Sequence, residues 1–213
     1  MAHKLYRYFE KLPFTFEQDK LEKALKQVLE IAPWPNSKDT KYHQICLTKR
    51  KGVQAPECFY EGNGGVYHLM IDGKEEARQQ HLDESEYSEF ALDFYHTYFK
   101  EIYDKINKYC KKEYNSTLGR FRLMLSKPRE SLSWHRDPEP RIHIPIVTDI
   151  GAMMIVEDEV LHMKSSEVWY SDTRNYHSQF NGSEVERIHI VASLYKIKEN
   201  ISMDDCLKGN DYY

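Results

Sequence analysis

Residues 118–195 constrain the fold most. Six short segments there run apolar or alternate apolar with polar: LGRFRLMLS (118–126), RIHIPIV (141–147), AMMIV (152–156), EVWYS (167–171), HSQFN (177–181) and RIHIVASLY (187–195). A period of two marks a strand with one buried face. Turn-like polar stretches separate the segments. Strands this short and close in sequence must pair among themselves. They follow helical segments, which predicts a β-barrel or sandwich with helices packed outside.

Upstream, QDKLEKALKQVLEIA (18–32) places Leu21, Ala24, Leu25, Val28 and Leu29 on one helical face, and Pro33 and Pro35 stop it. HQICLT (43–48) and GVYHLMI (65–71) read as strands, with Gly62, Gly64 and Gly65 marking a turn. The charge run 74–86, KEEARQQHLDESE, reads as a solvated helix or loop. Phe90, Phe94, Tyr98, Ile102, Ile106 and Tyr109 recur at steps of three or four, which predicts a helix over 86–112 lying against the sheet. No solenoid period and no Gly/Ser linker divides the 213 residues, so the expectation is one domain, 1–213, with a loose tail from 199.

The chain is 40% hydrophobic and 30% charged, a folded rather than a disordered composition. A net charge of -4 gives no basic bias, so nucleic acid is not indicated as a partner. No apolar run reaches the ~20 residues of a membrane span, and the N-terminus has no secretory pattern. Cys46, Cys58, Cys110 and Cys206 form no CxxC pair and read as reduced thiols of a cytoplasmic protein.

The chemistry-bearing stretch is SWHRDPEPRIHIPI, residues 133–146. In an extended segment His135 and Asp137 point to one side, an imidazole and a carboxylate converging as in a 2-His-1-carboxylate site for non-haem Fe(II). The same pair could be a structural hydrogen bond, and His81-Leu82-Asp83, in the charge run, is a second HxD that reads as a surface pair. The third ligand must come from His143, His162, His177 or His189. His177 opens a strand after SDTRNYH, and Arg187 follows ten residues later on the closing strand. A buried arginine needs an anion, and a dicarboxylate chelating the metal at one end would supply it.

This pattern, His135-x-Asp137, Arg141-x-His143, then His177 and Arg187, resembles the Fe(II)- and 2-oxoglutarate-dependent oxygenases. It looks most like the aspartyl/asparaginyl β-hydroxylase branch, which is similar to the free-proline hydroxylases. The resemblance runs from about Gly119 to Tyr195. It implies a double-stranded β-helix, or jelly roll, cupin-like in its core. It implies that His135, Asp137 and His177 are the catalytic metal ligands and that Arg187 pairs with the far carboxylate of 2-oxoglutarate. It also implies that Arg141 and His143 help hold the cosubstrate. Some aspartyl β-hydroxylases lack the carboxylate ligand; Asp137 marks this chain as a full-triad member, which argues against reading a peptidyl-aspartate substrate straight across.

The expected activity is therefore hydroxylation of an amino acid, or of an amino-acid side chain in a peptide or protein, using Fe(II), 2-oxoglutarate and O2. Trp134, Arg174 and Asn175 are the candidate substrate contacts. His189 reads as a supporting or core histidine and His162 as a turn residue. A cupin-like binding module without turnover, or a metal-dependent isomerase or hydrolase, would keep the same barrel; binding of 2-oxoglutarate separates the first reading from both.

Overall fold

The computed structural model describes residues 6–35, 43–61, 67–71, 73–78 and 83–196. The elements in order are β1 (Phe9–Thr15), α1 (Gln18–Ile31), β2 (His43–Cys46), β3 (Thr48–Lys49), α2 (Glu57–Tyr60), β4 (Tyr67–Ile71), β5 (Lys74–Arg78), β6 (Glu89–Phe90), α3 (Tyr98–Glu113), β7 (Ser116–Ser126), β8 (Glu130–Ser131), β9 (His135–Arg136), β10 (Arg141–Val147), β11 (Ala152–Val156), β12 (Glu159–Leu161), β13 (Glu167–Ser171), β14 (His177–Asn181) and β15 (Arg187–Lys196).

Two antiparallel sheets form the jelly roll. The larger in residues has six strands in the order β1-β13-β10-β15-β7-β2, and the smaller has seven generally shorter ones, β12-β11-β14-β9-β4-β5 with β8 on β14. The two RIHI segments pair with each other in the larger sheet: Ile142 faces Ala192, Ile144 faces Ile190 and His143 faces Val191. Because strand side chains alternate, this register sends Ile142, Ile144, Ile188 and Ile190 to one face and Arg141, His143, Arg187 and His189 to the other. The isoleucine face packs on Leu21 and Val28 of α1 and on Phe99, Ile102 and Ile106 of α3. Each such side chain, fully buried, contributes roughly 1.5–3 kcal/mol. The polar face turns inward, toward the smaller sheet.

α1 takes the expected course: Leu21, Ala24, Leu25 and Val28 are buried, and the helix closes with Ala32 N–H donating to Val28 O. α3 is shorter than its aromatic stripe. Residues 86–97 are not α-helical. Glu89–Phe90 pairs with Thr48–Lys49, Ala91 N–H donates to Leu47 O at 2.8 Å, and Leu92–Phe94 form a 3-10 turn. The helix starts only after Thr97, whose extended backbone caps it and whose Oγ1 donates back to Phe94 O. Phe90 and Phe94 are buried in the same core as Ile102 and Ile106, so their spacing reported burial and not helix.

The charge run also differs from expectation. Lys74–Arg78 is the edge strand β5, where charged side chains suit an unpaired flank. Glu84, expected in solvent, is only 3% exposed. FEKLPFT, which has no clean alternation to mark it as a strand in the sequence, is the edge strand β1 and buries Phe9 and Leu12. His81, the Gly62–Gly65 turn, Cys206 and the tail from 199 lie outside the described residues. Cys46, Cys58 and Cys110 are buried free thiols. Among the described residues, no helix is long and apolar enough to cross a membrane.

Candidate metal centre

β9 is short because Pro138 and Pro140 cannot extend its ladder. It is wedged between β14 and β4, with His135 directly opposite His177 on β14. The imidazole centroids are 4.2 Å apart. His135 Nδ1 meets Ser133 O at 2.7 Å and His177 Nδ1 meets Asn175 O at 3.0 Å. A carbonyl only accepts, so both Nδ1 atoms carry the proton and both Nε2 atoms hold the lone pair. The Nε2 atoms converge on Asp137: His135 Nε2 is 3.8 Å from Oδ1 and His177 Nε2 is 3.8 Å from Oδ2. The three ligand atoms lie within 4.8 Å of one another. Two imidazoles and one carboxylate so gathered fit Fe(II) and leave coordination positions free.

The electrostatics suit a cation. Burial works against the Asp137 charge, but Arg141, His177 and His135 outweigh it and hold the carboxyl well below its usual range. Burial, opposed by Asp137, brings His177 down to about 4, so its imidazole is neutral at pH 7.

Arg141 reaches this site through Asp137. Its Nε donates to Asp137 Oδ2 at 3.1 Å, and Nη1 lies 3.3 Å from Glu139 Oε2. Burial and Glu84 push Glu139 up to about 7 against the pull of Arg141. Behind them Glu84 accepts from Arg120 N and Nε at 2.9 and 2.8 Å and from Ser193 Oγ at 2.7 Å. Gly119 makes this possible: a Cβ there would sit 2.6 Å from Glu84 Oε2 and 2.8 Å from its backbone oxygen.

Arg187 is different. It is 5% exposed, and its Nη2 donates to His189 Nδ1 at 2.9 Å. Among the described residues no carboxylate pairs with it, and burial lowers its pKa to about 9. His189 Nε2 and both ring nitrogens of His143 are buried without hydrogen-bond partners. Burial and the Arg187 charge keep both rings neutral. Arg187 lines a cavity of about 220 Å³ together with Gln44, Met124, Ser126, Gln179 and Leu132. A buried guanidinium without a carboxylate, beside imidazole nitrogens that lack partners, fits a polar anion, and a dicarboxylate such as 2-oxoglutarate has the required groups.

The remaining candidates are placed as follows. Trp134 lies at the surface and stacks on Tyr176, centroids 6.2 Å apart. Tyr176 Oη and Arg136 Nε both donate to Glu75 on β5. Arg174 is held by Asp172 in its own loop, with Nε–Oδ1 at 2.7 Å. Asn175 donates its amide to Asp172 O and serves the site through its carbonyl, which orients His177. His162 Nδ1 lies 3.0 Å from Ala152 O, at a turn. Glu84, Glu75, Gln44 and Arg122 are not among the residues that the sequence points to. Only Arg122 had a visible signal, its alternation with Phe121 and Leu123.

The family model for aspartyl/asparaginyl β-hydroxylase matches residues 71–196, more than half of the chain. The chain belongs to this family. The match starts well before Gly119, so this β-hydroxylase-family chain shares with its relatives the segment that carries Glu84 as well as the motif strands. In structure it is similar to a viral collagen prolyl hydroxylase from Paramecium bursaria Chlorella virus-1 in its 2OG complex, with a TM-score of 0.53 and 9% identity over 90% of this chain and 97% of that one. It is also similar to an oxidoreductase of the 2OG-Fe(II) oxygenase family from Burkholderia pseudomallei, with a TM-score of 0.51 and 11% identity over 88% and 84%. At these identities the likeness shows the oxygenase fold. No curated protein sequence matches the chain.

Proposed function

We propose that the chain is an Fe(II)- and 2-oxoglutarate-dependent dioxygenase that hydroxylates an unactivated C–H of an amino acid or of an amino-acid side chain. One observation carries the reading: two imidazole lone pairs and a carboxylate converge on one point, and His143, which feels the charges of both His177 and Arg187, links them to a buried arginine that has no carboxylate among the described residues. When bound, iron and 2-oxoglutarate supply the oxidant from O2, the cosubstrate leaving as succinate and CO2.

The protein groups do the rest. His135, Asp137 and His177 hold the metal, their rings locked by the Ser133 and Asn175 carbonyls. Arg187 takes the far carboxylate of 2-oxoglutarate, and His189 keeps the guanidinium aimed by accepting from Nη2. His143, neutral and unpaired, offers a ring N–H to the same molecule. Arg141 orients Asp137. The buried inner face excludes water from the reacting region.

The test is succinate release from 2-oxoglutarate in air. Wild type is expected to release succinate only with Fe(II), His177→Ala none, and His81→Ala as much as wild type. Equal loss in both variants, or no Fe(II)-dependent succinate in wild type, contradicts the reading.

A further inference from the structure

β9 and the residue after it supply His135 and Asp137, yet little backbone holds them in place. The strand has two residues. It pairs with β14 at one position, His135 with His177, and with β4 at two, His135 with Leu69 and Arg136 with His68. Pro138 and Pro140 add no donor to the ladder. A slip of one residue would turn the ligands to the wrong face. A ladder this short needs side chains to hold its register.

Those side chains lie on the outer face. Strand residues alternate, so Arg136, between His135 and Asp137, points away from the metal side. Tyr176 directly precedes His177. Both meet one carboxylate, Glu75 on β5. Arg136 Nε donates to Oε1 at 2.7 Å and Nη2 donates to Oε2 at 3.2 Å. Tyr176 Oη donates to Oε1 at 2.6 Å. Trp134, directly before His135, stacks on the Tyr176 ring with the planes 15° apart. Arg136 adjoins two ligands and Tyr176 adjoins the third. A single carboxylate therefore holds the immediate neighbours of all three.

The grip reaches the backbone. Tyr176 N–H donates to Glu157 Oε1 and Glu157 N–H donates to Tyr176 O, both at 2.8 Å. The Tyr176 main chain cannot swivel freely while its ring is held. The guanidinium fork is planar and rigid, so a carboxylate that takes two of its N–H groups sets its orientation as well as its place. Glu75 is exposed, and an ion pair at the surface adds little to stability. Its effect is on geometry, where a functional constellation tolerates only about 0.5 Å of error.

Resting on the metal-centre reading, we propose that Glu75 is a positioning residue for that centre: through Arg136 and Tyr176 it holds β9 in register against β14 and so sets the spacing of the three ligands. The β4–β5 hairpin is then part of the site although Glu75 supplies no ligand.

The test combines anaerobic Fe(II) binding, the visible ligand-field spectrum of the Co(II)-loaded protein, and urea melts of the metal-free protein. Glu75→Ala is expected to lower Fe(II) affinity about tenfold, to alter the Co(II) bands, and to leave the urea midpoint close to wild type. Glu75→Gln keeps a carbonyl oxygen for Tyr176 and is expected to recover part of both signals. Adding Tyr176→Phe to Glu75→Ala is expected to cost little more, because that contact is already gone. The control is Glu184→Ala, which breaks the surface pair with Arg129 and is expected to leave affinity and spectrum unchanged. Wild-type affinity and spectrum in Glu75→Ala, an equal loss in Glu184→Ala, a full additive effect of Tyr176→Phe, or a loss of stability as large as the loss of affinity overturns the proposal. Wild type that binds neither metal overturns the metal-centre reading and this inference with it.

Discussion

His135 and His177 stand directly opposite each other on adjacent antiparallel strands, their ring centroids 4.2 Å apart. The pairing sets the centre by register alone, since a slip of one residue in β14 would turn His177 to the other face. Asp137 then needs only the two-residue step beyond His135 and a hold on its carboxylate, which Arg141 provides.

Arg141 is therefore expected to matter to the metal without touching it. Arg141→Ala leaves Asp137 without its principal cation and frees its rotamer. Equilibrium dialysis should show Fe(II) affinity reduced by about 10- to 100-fold, the range of a group that orients a ligand. Unchanged iron affinity would mean that the β9 backbone alone positions Asp137.

Arg187 predicts a divergence between stability and binding. An unpaired buried cation destabilises the protein until its anion arrives. Arg187→Met should raise the stability of the ligand-free protein by about 1 kcal/mol or more, on the pattern of apolar replacement of buried charge. The same change should abolish the rise in Tm that 2-oxoglutarate gives wild type. Urea melts with and without the cosubstrate check both halves; a loss of stability with retained 2-oxoglutarate response would assign Arg187 a structural role.

Glu84 predicts an acid-sensitive core. Burial alone would raise its pKa, but Arg120 and Arg141 outweigh burial and hold it at about 2, below the ordinary 4.5. The unfolded chain thus binds more protons than the native state between those values. The stability this carboxylate contributes is complete above about pH 4.5 and drains away as the pH falls toward 2. Glu84→Gln should lose about 3–5 kcal/mol at neutral pH, because Arg120 is left buried without its partner, and should flatten the acid limb of the stability curve. A variant with the wild-type acid limb would contradict this.

Gly119 is the steric counterpart. An alanine Cβ would lie 2.8 Å from the Glu84 backbone oxygen, which is not a flexible side-chain end. Gly119→Ala should cost on the order of 1–3 kcal/mol, the range for overpacking, read as a lower midpoint in urea. A neutral outcome would mean that the Glu84 segment can shift without loss.

These predictions also mark what local pattern could and could not convey. The strands β10, β11, β13, β14 and β15 were legible as short apolar or alternating runs between polar turns, β12 was not, and His135, Asp137 and His177 were suggested by residue type and strand context. The start of α3 was not, because Phe90 and Phe94 keep helical spacing while the chain between them follows Leu47 and a 3-10 turn. Glu84 looked like one more acid in a charged run. Its partner Arg120 lies 36 positions away, and nothing local distinguishes a paired buried acid from a solvated one. Glu75 and Arg136 meet across 61 positions for the same reason.

The most direct measurement is an anaerobic titration of the metal-free protein with Fe(II) and then 2-oxoglutarate, followed in the visible range. The account predicts a weak metal-to-ligand charge-transfer band that appears only when both are present, is absent in His135→Ala, and in Arg187→Met requires far more 2-oxoglutarate. Iron binding without that band would leave the fold intact and contradict the cosubstrate site.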